Sequence, residues 1–202
     1  MLKSIYLPVL SVLFLSVSAV SSPVVNKEAP DFKGITSEGK TVSLSELRGK
    51  PVMLEWTNHK CPYVQKHYNS GNMQNAQKSL TDEGVTWISI VSSAPGLQGH
   101  LSPEEAQDLT ARRGVHANMV VLDESGEIGK LYGAVTTPQM FLIGEDGVLR
   151  YMGAIDDKPS ARPSSLEGAT NYALTAWNSY KNGEPVTPES TKPYGCSVKY
   201  AE

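Results

Sequence analysis

The sequence predicts an α/β protein with a central mixed β-sheet, helices on both faces of the sheet and an extended C-terminal tail. Short apolar segments typical of buried strands alternate along the chain with segments of helical period. The last two apolar segments, residues 140–143 and 148–152, flank the turn Glu145-Asp146-Gly147. Such a hairpin makes the sheet mixed rather than all parallel. The tail begins after Gly183, which ends the last helical segment.

The chain divides by composition into three parts. Residues 1–19 have the order of a secretory signal peptide, with Lys3, an apolar stretch and the small residues Val17-Ser18-Ala19. That stretch is shorter than the roughly 20 apolar residues that span a bilayer. Residues 20–183 suit one domain with its own core, and residues 184–202 are a polar, Pro-rich tail. We therefore expect an exported protein, periplasmic or secreted, without a membrane segment after cleavage; a retained N-terminal anchor is the alternative.

The charge balance and the cysteine count narrow the functional classes. The formal net charge is −3, and no basic patch suggests a nucleic-acid partner. The two cysteines, Cys61 and Cys196, are expected in an oxidising compartment, where thiols are commonly paired. Two cysteines are too few for a disulfide scaffold in a domain of this size. The pair is therefore either a structural staple or a redox couple.

The first half of the domain centres on a strand that leads into Cys61. A short hairpin over residues 35–42 precedes the apolar run 51–56, which has the pattern of a buried strand. A helix is expected to begin at Cys61 or Pro62, since proline is favoured in the first helical turn. Residues 70–72 interrupt this helix before its apolar stripe resumes.

The second half alternates strands and helices. Ser102-Pro103-Glu104-Glu105 is a capping box with proline at the first helical position, and Gly114 ends the helix that follows. The last helix is expected from Leu166 to Lys181, with its apolar residues three and four apart. The other predicted elements are strands at residues 85–91 and 119–122 and a short helix at 128–132.

Three features together resemble the thioredoxin superfamily. A buried strand leads to Cys61-Pro62 at a helix start, Thr136-Thr137-Pro138 precedes a later apolar strand, and an amphipathic helix closes the domain. The stretches 56–64 and 192–196 are the most specific matches. They resemble the redoxin branch (alkyl hydroperoxide reductase/thiol-specific antioxidant type), and more narrowly the peroxiredoxin-like thioredoxin-family proteins. The resemblance implies a thioredoxin-like fold over roughly residues 28–183, plus the tail.

The resemblance also implies roles for single residues. Cys61 is the attacking cysteine, Pro138 is the cis-proline that faces it, and Thr137 offers its backbone to an extended substrate segment. A helix N-terminus stabilises a thiolate, and His59 and Lys60 in the same loop add positive charge, so all three lower the pKa of Cys61. The residues expected to position a substrate beside Cys61, from their closeness in sequence, are Trp56, Asn58 and Tyr63.

The chain departs from both parent families at the active cysteine. Peroxiredoxins carry Pro-x-x-x-Thr/Ser-x-x-Cys. Here Leu54 stands at the proline position and Asn58 at the Thr/Ser position. Peroxiredoxins also have an arginine where this chain has Pro138. Thioredoxins carry Cys-x-x-Cys, and here Val64 stands in place of the second cysteine. Both a peroxide and a disulfide therefore remain open as the substrate.

Cys196 has two interpretations. The segment from Gly183 to Cys196 can extend over about 45 Å, whereas the domain's radius of gyration is about 15 Å, so the tail can reach Cys61. Cys196 then resolves the oxidised Cys61. Alternatively, a Cys61–Cys196 bond is a permanent staple, which in the chain-entropy model adds roughly 4–5 kcal/mol of stability.

Two functional hypotheses follow. The first is an exported thiol oxidoreductase without an organic cofactor, which acts on a peroxide or on a protein or small-molecule disulfide and depends on an external thiol reductant. The second is a stapled binding module for a protein partner or a metal, for which His59, Cys61 and His67 are candidate ligands. We assign no metal site as the main prediction. Asp156-Asp157 is interpreted as a solvated turn.

Overall fold

The structure, a computed structural model, describes residues 22–202, so the predicted signal peptide lies outside the described residues. The strands are β1 (Lys33–Ile35), β2 (Thr41–Ser43), β3 (Val52–Trp56), β4 (Thr86–Val91), β5 (Met119–Leu122), β6 (Thr136–Thr137), β7 (Gln139–Ile143), β8 (Leu149–Gly153) and β9 (Cys196–Ser197). The helices are α1 (Pro62–Asn69), α2 (Asn72–Asp82), α3 (Pro103–Arg113), α4 (Glu127–Leu131) and α5 (Tyr172–Lys181). Within residues 22–202, no helix combines the length and apolarity needed to cross a bilayer.

The main sheet is five-stranded and mixed, in the order β5-β4-β3-β7-β8. The central strand β3 runs parallel to β4 and antiparallel to β7, and β7 and β8 form the predicted hairpin. The predicted class, a mixed sheet between helices, is confirmed. Because β3 lies at the centre, its carboxyl end delivers the loop 57–60 and the start of α1 to one edge of the sheet.

Successive residues of β3 point into two different apolar cores. Met53 packs in a first core, which lies under α1, α2 and α5 and also holds Cys61. Leu54 and Trp56 pack in a second core on the other face of the sheet, together with residues of α4 and of the N-terminal segments. This alternation is the period-two geometry of a strand. It separates Trp56 from Cys61, although the two are close in sequence.

Glu55, the one charged residue of β3, is fully buried in the first-core face of the sheet. Its carboxylate accepts hydrogen bonds from the Tyr68 hydroxyl (2.9 Å), the Trp87 indole N–H (2.9 Å), the Ser89 hydroxyl (2.9 Å) and the Gln77 amide (3.1 Å). A carboxylate only accepts hydrogen bonds, and all four partners donate to it. The network therefore ties β3 to β4, α1 and α2.

The last helix begins later than expected. It starts at Tyr172, whereas Leu166 belongs to a short 3₁₀ turn, Pro163–Leu166. Gly168 follows with a φ of +65°, a left-handed conformation that ends helical geometry. Asn171 then caps α5, since its side chain accepts the N–H of Leu174. The apolar spacing continues towards the N-terminus beyond the true start of α5, so spacing alone predicts a start that is too early. The Asn171 cap sets the observed start.

The capping signals read from the sequence are confirmed in α3. The Ser102 hydroxyl accepts the N–H of Glu105, and the Glu105 carboxylate accepts the N–H of Ser102. Gly114 ends the helix with a φ of +58°. The break between α1 and α2 falls at Gly71, as the sequence predicts.

Removing the buried carboxylate tests the role of the Glu55 network. We expect Glu55→Ala to lower the free energy of unfolding by about 3 kcal/mol or more, because several buried donors lose their acceptor. Urea unfolding followed by tryptophan fluorescence measures this change. The control is Glu38→Ala, which removes an exposed ion pair with Lys40 and is expected to change the free energy of unfolding far less, because solvent screens exposed charges. Equal stability of the two variants would contradict the assignment.

Candidate active site

Cys61 is the N-cap residue of α1 and is fully buried. A turn holds it there, since its N–H donates to the carbonyl oxygen of Asn58 at 3.0 Å. The Asn58 side chain fixes this turn: its Oδ1 accepts the N–H of Lys60 (2.9 Å) and its Nδ2 donates to the carbonyl of Gln98 (3.0 Å). Asn58 is itself buried, so its amide stabilises the loop that carries Cys61.

Thr137 lies against the Cys61 sulfur. The Thr137–Pro138 peptide is cis. The Cys61 thiol donates to the carbonyl oxygen of Thr137 at 3.2 Å. The Thr137 hydroxyl is buried without a hydrogen-bond partner. The structure thus places Cys61 against Thr137, the residue that precedes the cis-proline Pro138.

The tail returns to the site and brings Cys196 with it. Strand β9 pairs with β6 in an antiparallel register that sets Cys196 opposite Thr137. Cys61 and Cys196 are both free thiols here, and Cys196 lies close enough for its thiol to hydrogen-bond to the Cys61 sulfur. Cys196 is only partly buried. Two sulfurs that are 135 residues apart in sequence are therefore neighbours in the fold.

The two cysteines have pKa values shifted in opposite directions. Burial alone would raise the pKa of Cys61, but hydrogen bonds from the Cys196 thiol and from the backbone N–H groups of Val64 and Cys196 outweigh it, so the pKa is lowered. Burial, and then the hydrogen bond and charge of Cys61, raise the pKa of Cys196 to about 11. Cys61 is therefore the cysteine that ionises first.

His59 and Lys60 are the loop residues from which the sequence predicts positive charge near Cys61. Burial, and then the charges of Lys60 and Arg113, lower the pKa of His59, so its ring is neutral at pH 7. The His59 carbonyl accepts hydrogen bonds from Gln65 and Arg113 (both 3.2 Å). Lys60 is exposed. The donors described above, rather than these two side chains, are the groups found to lower the pKa of Cys61.

Of the predicted positioning residues, Tyr63 lies beside the tail and Trp56 lies elsewhere. The rings of Tyr63 and Tyr194 meet edge to face, with centroids 5.7 Å apart. Trp56 is in the second core, where its ring packs on Phe141 (5.1 Å) and its indole N–H donates to Ser92 (3.0 Å). Trp56 and Cys61 are thus not brought together, because the strand turns them to opposite faces.

A buried ionic cluster between α1 and the tail was not found by sequence reasoning. Lys66 of α1 and Asp156 are both about fully buried and form an ion pair at 3.3 Å. The Tyr194 hydroxyl completes the cluster by bonding to Asp156 and accepting from Lys66 (3.2 Å). The interpretation of Asp156 as part of a solvated turn is wrong, because Asp156 is buried and its carboxylate pairs with Lys66 of α1.

The metal hypothesis finds little support in this geometry. His67 is fully buried, and burial followed by the charge of Lys66 lowers its pKa to about 4. Its Nδ1 lies 2.7 Å from the Asn72 amide, and its Nε2 lies 3.5 Å from the Tyr194 hydroxyl. Within the described part of the chain, no three His, Cys, Asp or Glu side chains are grouped so as to hold a metal ion.

Comparison with known proteins places the chain in a family. Residues 25–152 match the AhpC/TSA family. The chain belongs to that family. The redoxin resemblance read from the sequence is therefore confirmed.

A relative of this AhpC/TSA chain is similar to it over part of its length. A thiol-disulfide oxidoreductase, ResA, of Bacillus thuringiensis subsp. konkukian is 28% identical over 130 residues, which are 61% of this chain and 65% of the relative. The chain thus spans just under two thirds of that relative's length.

Two solved structures share the architecture. A hypothetical protein from Sinorhizobium meliloti 1021 superposes with a TM-score of 0.75 at 22% identity, covering 90% of this chain and 97% of its own. The thioredoxin domain of a thiol-disulfide oxidoreductase from Bacteroides vulgatus superposes with a TM-score of 0.52 at 19% identity, covering 73% and 98%. The predicted thioredoxin-like fold is confirmed.

The hydrogen bond from Cys196 to Cys61 can be tested by two substitutions. We expect Cys196→Ala to raise the pKa of Cys61, because a donor to the thiolate is lost, whereas Cys196→Ser keeps a hydroxyl donor in the same place. Cys61 is the only cysteine left in either variant, so the pH dependence of its alkylation by iodoacetamide gives its pKa directly. The midpoint should lie at higher pH in the alanine variant. Coincident midpoints would show that Cys196 does not tune Cys61.

Proposed function

We propose that this chain is an exported thiol–disulfide oxidoreductase that cycles between a dithiol and a Cys61–Cys196 disulfide. The observation that carries the proposal is the pairing of β9 with β6, which sets Cys196 against the peptide that contacts the Cys61 sulfur. The relative named thiol-disulfide oxidoreductase supports the same class of reaction. Export is supported by the signal-peptide pattern of residues 1–19.

The first step is a nucleophilic attack by the Cys61 thiolate. Its lowered pKa leaves a larger thiolate fraction near neutral pH than an ordinary buried thiol would have. The thiolate attacks one sulfur of a disulfide, so that a Cys61–sulfur bond forms, the substrate bond breaks and half of the substrate leaves as a thiolate. The buried hydroxyl of Thr137, which has no other partner, is in place to donate to the Cys61 thiolate before it reacts.

The second step is resolution by Cys196. Burial is the main cause of its raised pKa, and the charge of Cys61 adds to it. That charge disappears once Cys61 is bound in a mixed disulfide, so the pKa of Cys196 falls at the moment when it must attack. Cys196 then loses its proton and attacks the Cys61 sulfur, which releases the other half of the substrate as a thiol. Two cysteine thiols are oxidised and one disulfide is reduced.

A hydroperoxide fits the same two steps. The thiolate attacks the peroxide, which yields a sulfenic acid on Cys61 and an alcohol or water. Cys196 condenses with the sulfenic acid to give the same Cys61–Cys196 disulfide and a molecule of water. The site has Pro138 where peroxiredoxins carry an arginine, so we favour the disulfide as the substrate. No organic cofactor takes part in either route.

An external thiol closes the cycle by reducing the Cys61–Cys196 disulfide. We expect its thiolate to attack Cys196, because Cys196 is partly exposed and Cys61 is fully buried. The leaving-group rule agrees, since the sulfur of lower pKa leaves faster and that sulfur is Cys61.

Single turnover of the reduced protein with a small disulfide, followed by intact mass and peptide mapping, tests the cycle. The unaltered protein should lose two hydrogens and gain a Cys61–Cys196 link. Cys196→Ser should stop at a mixed disulfide on Cys61, because the resolving sulfur is gone. Cys61→Ser should react more slowly by about tenfold or more, because Cys196 is mostly protonated near neutral pH.

Two outcomes would contradict the proposal. One is full turnover by Cys61→Ser. The other is a Cys61–Cys196 disulfide with a reduction potential below about −300 mV, which is typical of structural bonds and would identify a stapled binding module. Hydrogen peroxide in place of the disulfide, with the same readout, decides between the two oxidants.

A further inference from the structure

Residues 194–200, which we call the strap, run past Thr137 and place Cys196 beside the Cys61 sulfur. Gly195 lies directly on the Thr137–Pro138 peptide, with a φ of +139°. A Cβ added to Gly195 would overlap the Thr137 carbonyl oxygen and lie 2.7 Å from its carbon. Cys61 has no exposed surface. The strap is therefore in contact with the carbonyl to which the Cys61 thiol is hydrogen-bonded.

Hydrogen bonds hold the strap against the rest of the protein on both sides of Cys196. Before it, the Tyr194 hydroxyl is bound in the buried cluster of Lys66 and Asp156. After it, the N–H of Val198 donates to the carbonyl of Val135 at 3.1 Å. At the far end, the Lys199 carbonyl accepts the N–H of Ala94 (2.8 Å), and the Tyr200 hydroxyl donates to the carbonyl of Ala134 (2.7 Å). Side chains and backbone together hold it in one register.

We propose that the strap selects the substrate of Cys61, so that small disulfides or hydroperoxides react with it faster than polypeptide disulfides do. The inference rests on the proposed function of Cys61. An extended polypeptide binds a sheet by adding a strand to a free edge. Next to Cys61 the extended segment open to such pairing is β6, and its strand partner among the described residues is already β9.

The two classes of substrate require different movements. A small oxidant requires only that side chains around the buried sulfur shift, among them that of Cys196, whose thiol lies beside Cys61. A polypeptide must also displace β9 from β6 and break the fastenings at Val198 and Tyr200. Discrimination by size thus follows from how much of the strap has to leave.

Two probes with the same leaving group measure this discrimination. One is 5,5′-dithiobis(2-nitrobenzoate), and the other is a short unstructured peptide whose single cysteine carries the same thionitrobenzoate as a mixed disulfide. Thionitrobenzoate release from each is followed in the full chain with Cys196→Ser, so that Cys61 is the only thiol. We expect the small probe to react faster by about tenfold or more, the factor that one or two hydrogen bonds of the strap carry.

A glycine substitution then opens the strap. Gly195→Ala should lower the ratio of small-probe to peptide-probe rates roughly tenfold, because its Cβ pushes β9 off Thr137. The matched control is Gly168→Ala, where φ is also positive (+65°) but no atom lies within 4 Å of the added Cβ. Its ratio should equal that of the parent. Tyr200→Ala, which frees the far end of the strap, is a second opening variant if Gly195→Ala does not fold.

Each result bears on one of the two proposals. A high ratio in the parent that falls in Gly195→Ala or Tyr200→Ala and not in Gly168→Ala supports selection by the strap. Equal rates for both probes in the parent overturn it and leave the oxidoreductase proposal standing. A ratio that stays high in both opening variants, while hydrogen exchange shows the strap released, also overturns it. If neither probe reacts in the parent, the proposed function of Cys61 fails, and this inference fails with it.

Discussion

The site depends on one short antiparallel pair, β6 with β9. The carbonyl oxygen of Thr137 accepts a hydrogen bond from the Cys61 thiol. In the β6–β9 register, the same residue lies opposite Cys196. One residue of the cis-proline segment therefore positions both sulfurs at once. Gly195 permits this contact because any larger residue would strike the Thr137 carbonyl. Without the pair, the chain has a buried cysteine in a thioredoxin-like domain and no second thiol held beside it.

The same pairing makes the two cysteines chemically unequal. A hydrogen bond between them stabilises the thiolate of Cys61 and holds the proton on Cys196. The pKa of the first falls and that of the second rises, which separates the nucleophile from the resolving group. In a Cys-x-x-Cys motif the two sulfurs lie one helical turn apart. Here the second sulfur arrives from the tail, because Val64 occupies that helical position.

Patterns in consecutive residues predicted the fold well. They did not predict contacts between residues that are far apart in sequence. The strand before Cys61, the proline at the start of α1 and the capping box at Ser102 are written in consecutive residues, so the sequence alone locates them. Trp56 shows the limit of closeness in sequence, because strand alternation sends it to the opposite face from Cys61. Asp156 shows the limit of local composition, because its partner Lys66 lies 90 residues away.

The buried cluster explains why the tail packs against the domain. An ion pair taken out of water is stable only if further hydrogen bonds satisfy both charges. Lys66 and Asp156 have almost no exposed surface, and the Tyr194 hydroxyl supplies a contact to each of them. Removing the tail would leave this pair without one of its partners. Since Tyr194 is two residues before Cys196, the contact that completes the core also fixes where the second sulfur lies, so the stability of the domain and the geometry of its redox pair are linked through the same tyrosine.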